Sequence, residues 1–234
     1  AMPRLTEDLT LLVRDADLSG LRLGFPTALA LEPLIVAAVG KLEAAGAIVV
    51  PVDFAPPDLQ EEVQFMGAEM VRDLASYLQH DASPNVIIEN LSGLQTFNLA
   101  APEERAPYGQ ALVDQMVGFE TFFESDAQAG EGEIARLKHH VVSEVGGYLD
   151  ALFSLHNLDA LVRINNSGAS AGAFANYPAL TIPAGYRETG QPVGVTFYAP
   201  SFQEQRLIDI GLKLEETGAL RRPPPKYLQG RIPH

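Results

Sequence analysis

The chain has 234 residues, 47% of them hydrophobic and 20% charged, with no cysteine. That balance fits one globular domain, or a large piece of one, and no apolar run approaches the roughly 18–20 residues of a membrane span. A net charge of −14, from 30 acidic and 16 basic residues, argues against nucleic acid as a partner, and the lack of cysteine excludes disulfide frameworks, thiolate nucleophiles and cysteine metal sites. The expected location is the cytoplasm. Ala1–Asp17 carries Arg4, Glu7, Asp8 and Arg14 where the apolar stretch of a signal peptide would stand, so no leader is expected there.

Leu21–Phe25 reads as a strand ending at Pro26. Pro33–Ala45 reads as a helix, with Ile35, Ala38, Val39 and Leu42 on one face and Gly46 as its stop. Ala47–Val52 is β-branched and reads as a second strand. The spacing is that of a βαβ unit, which predicts a parallel pair. A helix is expected after Pro56-Pro57, with Asp58 and Glu61 as a capping box and Val63, Met66, Met70, Leu74 and Leu78 as its core stripe. Between residues 86 and 155 the one strand-like run is Val86-Ile87-Ile88. Leu91–Leu99, Gln110–Phe123 and Glu133–Phe153 read as helices, and Glu124–Glu131 as a polar surface loop.

Leu158–Val162 reads as a strand. Residues 163–177, rich in Asn, Ser, Gly and Ala, suit neither a packed strand nor a regular helix. Pro178–Tyr186 and Pro192–Tyr198 predict a hairpin. Ser201 and Glu204 predict a capping box before a helix carrying Leu207, Ile210 and Leu214 and ending at Gly218. The segment 1–18 reads as a lead-in and 221–234 as a tail. No linker divides the chain, so a single domain spanning 1–234 is expected.

Three segments resemble the second half of the amidase signature family. Ser19–Asp53 is similar to the family's "GLRIGV … GAEVV" stretch. LQTFNLAAPEERAPYGQ, Leu94–Gln110, resembles the "L..FN … PYFGQ" pattern of the branch that includes 6-aminohexanoate-cyclic-dimer hydrolase. LDALV … YPALTIPAGY … GQPVGVTFYAP … EQRLIDIGLKLEE, Leu158–Glu215, is similar to "DA … GYPA.TVPAG … G.PVG..F … E..LL....A.E". The resemblance implies an α/β fold with a mixed sheet flanked by helices, the C-terminal portion of an amidase-signature α/β/α domain. It also implies carboxamide C–N hydrolysis by a serine, a second serine in a cis peptide, and a lysine, with no metal or organic cofactor. In the family those three residues precede the matched region. No catalytic residue is therefore expected in this chain, which alone is expected to be inactive. Its expected partners are a missing N-terminal half and a small-molecule amide substrate, with no membrane and no nucleic acid.

The candidate substrate-binding residues are Asn165, Asn166 and Ser167. They follow a strand where the family has a "PTN"-like stretch facing the cleft, and an amide side chain offers both a donor and an acceptor to an amide substrate. Arg163-Ile164 stands where the family usually has proline and threonine. Gly168-Ala169-Ser170-Ala171-Gly172 matches the nucleophile-elbow pattern GxSxG and gives a different reading, a complete serine esterase using Ser170. Against it, Gly172 is soon followed by Pro178, Asp209 falls on a helix, and His234 is the last residue. A non-catalytic binding domain is the third reading. Lys41, Lys138, Lys213 and Lys226 read as solvated charges. His139 and His140 are adjacent and lack the i, i+4 spacing of two ligands on one helix face.

Overall fold

A computed structural model describes residues 16–123, 127–218 and 221–222. Their contacts form two compact units, Ala1–Pro57 with Val145–His234, and Asp58–Glu144.

The first unit holds a five-stranded mixed sheet. Its strands are β1 (Arg22–Pro26), β2 (Ile48–Val52), β3 (Ala160–Ile164), β4 (Ala179–Tyr186) and β5 (Pro192–Tyr198), in the order β2-β1-β3-β5-β4. β1 pairs in parallel with β2 and with β3, and β5 runs antiparallel to β3 and β4. The parallel pair expected from the βαβ spacing is present, joined by α1 (Pro33–Ala44) with its proline in the first turn. Gly46 follows that helix at φ 103°, a left-handed position that a side chain would strain.

One face of the sheet packs on α1 and on the helix Glu204–Glu216. Ile35, Ala38, Val39 and Leu42 of α1, and Leu207, Ile210 and Leu214 of the second helix, share a core with Leu23, Val162, Val195 and Phe197. On the opposite face Leu161, Arg163, Thr196, Tyr198 and Thr181 lie in register across β3, β5 and β4. A short helix, Ala169–Phe174, packs here. A Cβ at Gly172 would stand 2.6 Å from the Tyr198 ring. Tyr177 then meets the ring of Phe153 edge-on at 5.2 Å and donates to Asp150 Oδ1 at 2.7 Å.

Burial, and then the hydrogen bond to Asp150, push the Tyr177 phenol well above its ordinary value, and burial also raises Tyr198. A phenol raised in the folded state keeps its proton when the unfolded chain has lost it. Stability from both tyrosines is therefore present below the ordinary phenol value of 10.0 and is lost as pH rises beyond it. Denaturation midpoints should fall above that pH, and less steeply in Tyr177→Phe. An unchanged slope in that variant would contradict this account.

The second unit is helical. It contains α2 (Gln60–His80), α3 (Leu91–Leu99), α4 (Pro102–Arg105), α5 (Ala111–Val117) followed by the 3-10 turn Gly118–Phe123, and residues 127–144 of α6 (Ala127–His156). In chain order the two helices already placed in the first unit become α7 (Ala169–Phe174) and α8 (Glu204–Glu216). Ile134, Leu137, Val141, Val145, Leu149 and Leu152 of α6 are buried as the helical period predicts.

Several local expectations are corrected. α2 begins at Gln60 after an extended Leu59, so Asp58 does not cap it. It buries Phe65, Gly67, Ala68 and Val71, while Val63, Met66 and Met70 are exposed. α8 starts at Glu204 without a side-chain cap, because the Ser201 hydroxyl donates to the Asn176 carbonyl instead. Val86-Ile87-Ile88 is irregular. Helix α6 takes in 127–131 of the expected loop, and 124–126 lie outside the described residues, as do the lead-in before residue 16 and most of the tail. Among the described residues no helix is long and apolar enough to cross a membrane.

Candidate functional site

β3 ends at Ile164, and the chain turns at Asn165, whose φ is 49°. Asparagine tolerates this left-handed conformation better than other side-chain-bearing residues. Its backbone N–H donates to the Gly194 carbonyl, and its side-chain Oδ1 accepts from the Gly194 N–H, both at 2.8 Å. One residue thus extends the β3–β5 pairing past the strand end with two bonds. The Asn165 carbonyl accepts from the buried hydroxyl of Thr196, whose Oγ1 lies 2.8 Å from Thr181 Oγ1.

Asn165, Thr181 and Gly194 border an open pocket of about 550 Å³. It is lined by Asn165 and Asn166, by Thr181, Pro183 and Tyr186 of β4, and by Gly194 of β5. A Cβ at Gly194 would stand 2.7 Å from the Thr181 methyl, so the glycine leaves room there. The lining is mostly apolar with few polar groups, as in many small-molecule sites. Of the three residues singled out from the sequence, Asn165 and Asn166 line this pocket. Ser167 does not, and its hydroxyl is buried with no hydrogen-bond partner. Thr181 escapes sequence reasoning because it reads as an ordinary strand residue. Its only signal is a β-branched hydroxyl residue on each strand of the predicted hairpin.

Arg163 anchors the same loop from behind. Its Nε donates to the Ser167 carbonyl at 3.3 Å, and its guanidinium lies 4.1 Å from the centre of the Phe54 ring. Phe54 in turn meets Tyr148, whose hydroxyl accepts from the Ala55 N–H. Burial pulls the guanidinium below its ordinary value, opposed by Tyr198 and Tyr148. Among the described residues no carboxylate lies within ion-pair distance of Arg163.

Ser170 is exposed on α7. Sequence pattern alone does not predict this helix after β3. It forms because Gly168 makes the turn at φ 78° and alanines dominate the next turn of chain. This gives Ser170 the strand–turn–helix setting of an elbow, yet no hydrogen bond among the described residues joins it to a histidine or a carboxylate. Lys138 and Lys213 pair with Glu69 and Glu216, and Lys226 lies outside the described residues. Among the described residues no group of three histidine or carboxylate side chains is placed to hold a metal ion.

The mixed five-stranded sheet with flanking helices matches the α/β fold of amidase-signature structures. A probable amidase of Arabidopsis thaliana is 28% identical over 170 residues, covering 71% of this chain and 31% of that protein. The crystal structure of peptide amidase from Stenotrophomonas maltophilia matches 95% of this chain and 48% of that one, with a TM-score of 0.76 and 29% identity. A 6-aminohexanoate cyclic dimer hydrolase shares the fold over 88% of this chain and 46% of that one, at a TM-score of 0.51 and 14% identity. The homologues and structural neighbours are amidases of the amidase signature family. The chain spans less than half the length of the relatives it matches. No family model matches the chain.

Proposed function

We propose that this chain forms part of the substrate cleft of an amidase that hydrolyses a carboxamide C–N bond through an acyl-serine. The nucleophilic serine, the cis-peptide serine and the lysine base come from polypeptide outside this chain. The serine oxygen attacks the amide carbon, the amine departs with a proton, and water then releases the acid. The chain contributes the wall around Asn165 and Asn166. The observation that carries this reading is the pocket at the end of β3, in a chain 29% identical to a peptide amidase over most of its length. The substrate is a small linear or cyclic amide.

The strand–turn–helix around Ser170 favours a second reading, an esterase complete in this chain. One assay separates the two. The purified chain should give no turnover of amides, nitroanilides or esters above background, and Ser170→Ala should behave identically. Saturable hydrolysis that Ser170→Ala abolishes would establish the esterase instead. A longer protein carrying this chain behind a Gly-Ser-rich loop and a lysine should hydrolyse amides.

A further inference from the structure

The hydrogen-bond directions around the pocket are fixed, and they determine what it can recognise. The Asn165 backbone carbonyl can only accept, so the Thr196 hydroxyl donates to it. Thr196 has one hydroxyl proton, and that bond uses it. In the contact between the two threonines, Thr181 must then be the donor. Its proton points to Thr196, and no other hydrogen bond among the described residues uses its two lone pairs. The Gly194 N–H can only donate, so the side-chain atom of Asn165 facing it is Oδ1. No hydrogen bond among the described residues uses the Nδ2 group of Asn165, which leaves it a donor for a ligand.

We propose that Asn165 Nδ2 and Thr181 Oγ1 form an amide-reading pair, the first donating to a ligand carbonyl oxygen and the second accepting from the ligand N–H. Both residues line the pocket, and Gly194 lies between them. The inference rests on the amidase reading and adds to it a preference: a secondary amide is taken over the ester of the same shape. An ester presents an oxygen lone pair to Thr181 where the amide presents a proton, and a site built to accept an N–H rejects an analogue that lacks it.

The test uses the whole chain and two probes that differ only at that atom, N-methylbenzamide and methyl benzoate, titrated while the Gly194 amide and the Asn165 side-chain NH₂ signals are followed by NMR. N-methylbenzamide should bind roughly fivefold more tightly, the size of one ordinary hydrogen bond. Thr181→Val should remove the preference and Thr181→Ser should keep it. Asn165→Asp, which retains an acceptor for Gly194 but loses the donor, should weaken both probes alike. Thermal unfolding of each variant checks that it is folded. Equal binding of the two probes, no saturable binding at the pocket, or a preference that survives in folded Thr181→Val would overturn the proposal. The readout does not depend on turnover. An amidase carrying this chain that is active while the probes bind equally would sink this inference alone.

Discussion

Phe197→Ala should lower the stability of the chain by about 3–5 kcal/mol, the range for removing a buried aromatic ring. Phe197 is fully buried (0% exposed) on β5, between Val162 of β3 and Leu180 of β4. It projects into the core shared with α1 and α8. The β-ladder on both sides limits how far the backbone can close over the space left behind, which favours the upper part of the range. Phe197→Leu keeps most of the volume and should cost about 1.5 kcal/mol or less. Urea denaturation measures both. A loss for Phe197→Ala below that of Phe197→Leu would mean that the core collapses around the truncated side chain. The pocket should respond as well, because Gly194 and Thr196 occupy the other face of the same strand.

Where side-chain period and chain punctuation agree, the fold is legible in the sequence. Ile35, Ala38, Val39 and Leu42 mark the buried face of α1, and Pro33 and Gly46 bracket it. In α2 the expected stripe of Val63, Met66 and Met70 misleads. The buried face is carried by Phe65 with the small residues Gly67 and Ala68, and a Cβ on Gly67 would stand 2.2 Å from the Phe119 ring. Close approach needs small residues, and these contribute little to a hydrophobic pattern. The two capping boxes fail for another reason. A motif with the right spacing does not cap when its hydroxyl is used elsewhere, as Ser201 is on Asn176, or when the chain enters extended, as at Leu59. At the pocket, Asn165 and Asn166 stand out as polar residues after a strand. Thr181 and Thr196 do not, because their partnership exists only once β4 and β5 are in register.

Asn165 has two separable tasks, and substitution by alanine or glycine should divide them. Either change deletes the side-chain bond to the Gly194 N–H, at about 1 kcal/mol. Alanine adds the strain of a left-handed backbone at φ 49°, about 1–2 kcal/mol. Glycine avoids that strain but frees the unfolded chain, which offsets about 0.4–1 kcal/mol of its advantage. Asn165→Ala should therefore be less stable than Asn165→Gly, by about 0.5–1 kcal/mol in chemical denaturation once these terms are set against each other. Activity should not follow that order. In an amidase carrying this chain, both variants lose the Nδ2 donor, and kcat/KM for an amide substrate should fall roughly fivefold or more in each, as for the loss of one ordinary hydrogen bond. Glu103→Ala, at an exposed carboxylate in the helical unit, should leave kcat/KM unchanged. If Asn165→Gly keeps full activity, the residue serves only to shape the turn, and the amide-reading role passes to Asn166 or to none. If both variants lose activity in proportion to their stability, the turn rather than the donor is what catalysis needs.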